Sequence, residues 1–254
     1  MNDLYKKNKL TFAILWIVIY AVGMGTLQSN FGLDSLWHML GLVVISAAIF
    51  LFVKKNGLME KYGLAGWAKN SRAMLWFIPL WIFSCLNLFS GFQPDYSVPG
   101  LIYAAVSMAL VGFAEELIFR GFLFKAMLKD GNVKAAVIIS SVTFGLGHIV
   151  NLFTGHNLVE TLAQVVFAVA LGFVFTFVFY KSGSLLPGIL AHSFIDVSSV
   201  FASDEGSQLV NLILHIGIVI VSAAYCLYLA KRVETPAINR ADLRKESASD
   251  PQKS

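Results

Sequence analysis

The sequence predicts an all-α fold, a polytopic membrane helical bundle of about eight transmembrane helices with both termini in the cytoplasm. Composition is the first support: of 254 residues, 57% are hydrophobic and 13% charged, with a mean hydropathy of +0.72. A soluble chain of this length carries roughly twice that charge. The second is a series of apolar runs of about the length needed to cross a bilayer. The third is the placement of lysine and arginine, which alternates from loop to loop.

The runs lie at 10–28, 36–53, 73–91, 101–124, 134–153, 160–180, 185–201 and 209–230. The first has no small-residue cleavage site after it and reads as a retained helix, not a signal peptide. Pro79 in the third run is tolerable within a helix, and Pro187 in the seventh, shortest run marks a helix start. Lys6, Lys7 and Lys9 precede the first run, and Lys54, Lys55, Lys61, Lys69 and Arg72 follow the second. Arg120, Lys125, Lys129 and Lys134 surround the end of the fourth, Lys181 the end of the sixth, and Lys231 and Arg232 the end of the eighth. The loops 28–35, 92–100, 154–159 and 202–208 have neither residue. Dropping the seventh run would put Lys231 and Arg232 outside, so the bias supports an even count. The domain reading is one transmembrane domain over 1–230 and a polar, disordered cytoplasmic tail at 231–254.

The net charge of +4 is dispersed over short segments, which argues against nucleic acid as a partner. Cys85 and Cys226 fall inside apolar runs without a CxxC pair, against a disulfide framework or thiolate metal site. The expected partner on composition is the lipid bilayer. The expected location is a cell membrane, read as a bacterial plasma membrane.

Ionisable groups at bilayer depth cost several kcal/mol each and persist when they face one another or a wet cavity. Three clusters qualify: Glu115, Glu116 and Arg120 in FAEELIFRGF, His148 in SVTFGLGHIV, and His192 and Asp196 in LAHSFID. Glu116 and Arg120 are i and i+4 and can pair on one helix face. Glu115 points about 100° away and lacks that partner. His192 and Asp196 are again i and i+4, so the aspartate can orient or charge-stabilise the imidazole. Glu115, His148 and His192 lie roughly 15, 20 and 12 Å from the cytoplasmic ends of their helices, depths at which they could share one cavity. The bland readings are a packing ion pair for Glu116 and Arg120, and a satisfied interhelical polar group for His148. His38 and His215 read as structural or interfacial, and His156 as a loop residue. Gly145 and Gly147 allow close helix approach or substrate access to His148.

A carboxylate and two imidazoles in a low-dielectric cavity suit water activation, with histidine assisting the base, binding a metal or donating to an oxyanion. There is no GxSxG elbow, no intramembrane Cys beside a His and no HExxH. The ordered set EExxxR, FxxxH and HxxxD over residues 101–200 resembles the CAAX prenyl endopeptidase and bacteriocin-processing (CPBP, or Abi) family of intramembrane proteases. That resemblance implies an intramembrane endopeptidase cutting near the cytoplasmic side, with its catalytic core at 101–200 and a peptide or membrane-protein substrate. It makes Glu115 the glutamate that activates water, with His148 as its partner, and Glu116 and Arg120 a structural pair. His192 and Asp196 become the pair that stabilises the oxyanion. Asp196 stands where eukaryotic prenyl proteases have Asn, so a donor role requires it to be protonated or to act only through His192. The family is often labelled metalloprotease. Two His and a Glu could hold Zn2+, and a metal-free glutamate mechanism explains the same residues. A non-catalytic bacteriocin immunity protein and a proton-coupled transporter are the alternatives.

Overall fold

A computed structural model describes residues 1–92, 96–128, 131–153, 158–202 and 208–240. Among them the chain is helical, with one isolated bridge between Phe92 and Ala202. Six helices are long and apolar enough to cross a membrane: Lys9–Phe31, Leu36–Lys55, Val98–Leu128, Val133–Leu152, Thr161–Ser182 and Ile213–Arg232. These match six of the eight expected runs. The other two contain shorter apolar helices, Leu75–Ser84 and Leu186–Val200.

Polar caps set the starts. A short helix α1 (Asn2–Lys7) precedes α2 (Lys9–Phe31), where Asn8 accepts from the Thr11 N–H. Ser35 does the same for α3 (Leu36–Lys55) at His38. Each such side chain satisfies one of the otherwise unpaired first amides of a helix.

The third expected span is broken. Leu75, Trp76 and Phe77 have φ of 53°, 53° and 60°, a left-handed turn costing about 1–2 kcal/mol per residue. Helix α4 (Ile78–Ser84) follows, with Pro79 in its first turn. The proline ring would strike the carbonyl four residues earlier, at Leu75, so a helix cannot run straight through. The Tyr225 and Tyr228 hydroxyls hold the turn by donating to the Met74 and Ala73 carbonyls at 2.8 and 2.9 Å.

Ser97 caps α5 (Val98–Glu115), which continues as a π-helix over Glu116–Phe124 and as α6 (Lys125–Leu128). Asn132 caps α7 (Val133–Gly147), and a 3-10 turn runs on from His148 to Phe153. Helix α8 spans Leu158–Ser182, α9 spans Leu186–Val200 with Pro187 in its first turn, and α10 spans Gln208–Arg232. Apolar residues outside the buried faces, such as Ile14, Val18, Val44, Ile213, Ile220 and Leu227, are exposed, the pattern of a protein solvated by lipid.

Two close approaches set the bundle's centre. A Cβ on Gly112 of α5 would lie 2.5 Å from the Ser193 amide nitrogen of α9, and one on Gly145 of α7 would lie 2.9 Å from the Val169 nitrogen of α8. Glycine lets these backbones touch, as small residues do between membrane helices. Gly147, expected to share this role, has only the Phe119 ring edge at 4.0 Å.

Residues 233–240, assigned by composition to the disordered tail, pack back on the bundle. Asn239 is fully buried. Its amide donates to the Phe179 and Tyr180 carbonyls at 3.2 and 2.6 Å, and its oxygen accepts from Lys125 Nζ at 2.7 Å. Lys181 Nζ donates to the Val233 carbonyl at 2.7 Å. The last carbonyls of α8 thus find donors from a distant segment. Residues 241–254 of the expected tail, and His156, lie outside the described residues.

Gly112→Ala is expected to lower the detergent unfolding midpoint, while Gly147→Ala leaves it unchanged. Asn239→Ala strands buried partners and is expected to cost about 2 kcal/mol, with the exposed Ala237→Ser as the neutral control in the same unfolding assay.

Candidate active site

Two of the ionisable groups are fixed by a change in helix type. Glu115 ends α5 and Glu116 opens the π-helical stretch, in which all nine residues are buried. Wider π turns are rare and concentrate at functional sites. The Ser140 hydroxyl of α7 donates to the Phe119 carbonyl inside that stretch at 3.0 Å.

Arg120 is fully buried. Its Nη1 lies 3.0 Å from Glu116 Oε1, its Nη2 donates to the Gly172 carbonyl of α8 at 3.4 Å, and its guanidinium carbon stands 4.0 Å from the centre of the Phe144 ring. The pair foreseen from the i, i+4 spacing is therefore present. Its second partner lies on α9: His192 Nδ1 is 3.0 Å from the same Glu116 Oε1. A carboxylate oxygen accepts, so Nδ1 carries the hydrogen and Nε2 is directed elsewhere.

That nitrogen faces two more carboxyl groups, Asp196 Oδ2 at 3.4 Å and Glu115 Oε2 at 3.7 Å. Neither oxygen accepts a hydrogen bond from a protein donor, although both are buried. Glu115 Oε1 is occupied, receiving the Tyr20 hydroxyl of α2 at 2.9 Å.

Phenylalanines fix the rings. Phe175 of α8 stacks on His192 at 5.1 Å, and Phe144 meets His192 and His148 edge to face, each at 5.6 Å. His148, half-buried where α7 ends, has Glu115, His192 and Arg120 as ionisable neighbours. Five of the six residues singled out from sequence are thus in direct contact, and His148 joins them through Phe144. Tyr20 was missed, because a tyrosine in an apolar run looks like any other packing residue. His38 is buried near the start of α3, and His215 rests on Phe167 at 5.6 Å, in neither case as part of this cluster. Cys85 and Cys226 are free thiols. Among the described residues, no three His, Cys, Asp or Glu side chains are grouped to hold a metal ion.

Residues 96–198 match the family model described as type II CAAX prenyl endopeptidase Rce1-like. The chain carries an Rce1-like domain. No curated protein and no solved structure matched the chain. The Rce1-like domain begins just before α5 and ends within α9, so it contains Glu115, Glu116, Arg120, His148, His192 and Asp196. Tyr20 lies outside it.

Removing one member of a buried ion pair costs about 3–5 kcal/mol, more than replacing both. Arg120→Met is therefore expected to destabilise the Rce1-like domain strongly, and the double variant Glu116→Leu/Arg120→Met to recover part of the loss. Unfolding in detergent with graded denaturant measures both.

Proposed function

We propose that this chain is an intramembrane endopeptidase that hydrolyses a peptide bond near the cytoplasmic side of the membrane, with water activated by Glu115. The observation that carries the reading is the pair of buried, unbonded oxygens, Glu115 Oε2 and Asp196 Oδ2, at 3.7 and 3.4 Å from His192 Nε2. Two unsatisfied acceptors of this kind suit a water that donates to both. The family match supports the reaction class.

In this reading Glu115 Oε2 takes a proton from the water as its oxygen adds to the scissile carbonyl, with His148 flanking the water. In its imidazolium form His192 keeps Nδ1–H on Glu116, which Arg120 neutralises, and donates Nε2–H to the developing oxyanion. Asp196 acts through His192, or donates to the oxyanion when protonated. As the C–N bond breaks, the proton on Glu115 passes to the departing amine, and an acid and an amine result. The basic loops face the cytoplasm, in keeping with their lysine and arginine content. The substrate class is a membrane-associated peptide, for which a prenylated CAAX tail is the first probe.

The test is cleavage of a quenched fluorescent farnesylated peptide with a CAAX end by purified protein. Glu115→Gln is expected to lower kcat by about 10²–10⁴, and His192→Ala by about 10²–10³. Wild-type rates in both variants would refute the mechanism. A chelator is expected to leave cleavage unchanged, and loss reversed by added zinc would replace this chemistry with a metal-assisted one.

A further inference from the structure

Helix α2 lies outside the Rce1-like domain, yet it reaches the site. Its residues Phe12, Trp16, Tyr20 and Met24 recur every fourth position and are buried, while Ile14, Val18 and Val22 on other faces are exposed. The buried stripe packs against the π-helical stretch. A phenylalanine at position 20 would fill such a stripe at no polar cost, whereas a phenol in a bilayer needs an acceptor for its hydroxyl. The acceptor here is Glu115 Oε1, at 2.9 Å, across 95 residues of sequence.

The consequence lies in how the two oxygens of Glu115 are divided. Oε1 is held by the hydroxyl, and Oε2 has no protein donor and faces His192. A carboxyl group without the first contact can rotate and exchange its oxygens. With it, one oxygen is an anchor and the other is fixed towards His192. Tyrosine remains a donor to Oε1 whether Oε2 is bare or has taken a proton, so the contact survives a proton transfer at Oε2.

We propose that Tyr20 is a positioning residue for the reaction, anchoring Glu115 through Oε1 so that Oε2 is the oxygen that exchanges protons with the water. This rests on the hydrolytic reading above and adds to it a part of the chain that the family match does not cover. Helix α2 thereby belongs to the working enzyme.

Tyr20→Phe keeps the ring and removes the anchor. It is expected to lower kcat on the farnesylated peptide by about tenfold or more, with KM unchanged, since a small displacement of a reacting group is costly. In the Glu115→Gln background the same substitution is expected to add no further loss. Full kcat in Tyr20→Phe beside an inactive Glu115→Gln overturns the positioning role and leaves the hydrolytic reading standing. An active Glu115→Gln overturns that reading instead. A readout independent of activity is infrared difference spectroscopy of wild type against Glu115→Gln, which isolates the Glu115 carboxyl bands. Tyr20→Phe is expected to displace those bands, and unmoved bands refute the proposal whatever the rates. 3-Fluorotyrosine at position 20 keeps the ring in place, alters donor strength and moves the same bands, which preserves the test should the phenylalanine variant misfold.

Discussion

A guanidinium without exposed surface has to be neutralised where it stands, and Arg120 imposes that requirement on everything around it. Glu116 supplies the counter-charge from the same π-helical stretch, α8 supplies a carbonyl at Gly172, and Phe144 offers its ring face. Because the carboxylate is already committed to Arg120, its second contact, with His192, fixes the imidazole as well. One buried charge thereby sets the positions of α5, α8 and α9 relative to one another.

The surrounding packing makes this possible. Gly112 admits α9 against α5, and the Ser193 hydroxyl at that contact donates to the Ala109 carbonyl at 2.8 Å. A Cβ on Gly188, one turn before His192, would approach Glu116 Oε2 to 3.1 Å. On the other side of α9, the Asn87 amide donates to the Ile195 carbonyl at 2.8 Å and the Ser84 hydroxyl to the Ala191 carbonyl at 3.1 Å. The helix bearing His192 and Asp196 is held along its length by hydrogen bonds to its backbone, which in lipid have no water to compete with them.

The sequence disclosed what depends on composition and on local spacing. Six long helices follow from the apolar runs, and the contacts of Glu116 with Arg120 and of His192 with Asp196 follow from i, i+4 geometry. What escaped it depends on distant partners or on small backbone choices. The contact between Glu116 and His192 joins residues 76 apart, and no periodicity encodes it. The left-handed turn at Leu75–Phe77 uses residues that ordinarily avoid that conformation, and Pro79, read as tolerable within a helix, gave no warning of the break. The π-helical stretch has no composition of its own. Asn239 sits in a polar stretch and looked unstructured, because its partners, Lys125 and the end of α8, are far away in the chain.

Helix α9 has only fifteen residues, a rise of about 22 Å, against a hydrocarbon layer about 30 Å thick. Leu190 and Phe194 on its outer face are exposed, so lipid meets this short helix directly. Hydrophobic mismatch of that size is relieved by local thinning of the bilayer. The headgroup region then dips towards His192 on this flank, and a polar peptide backbone has less oil to cross there than beside a full-length span.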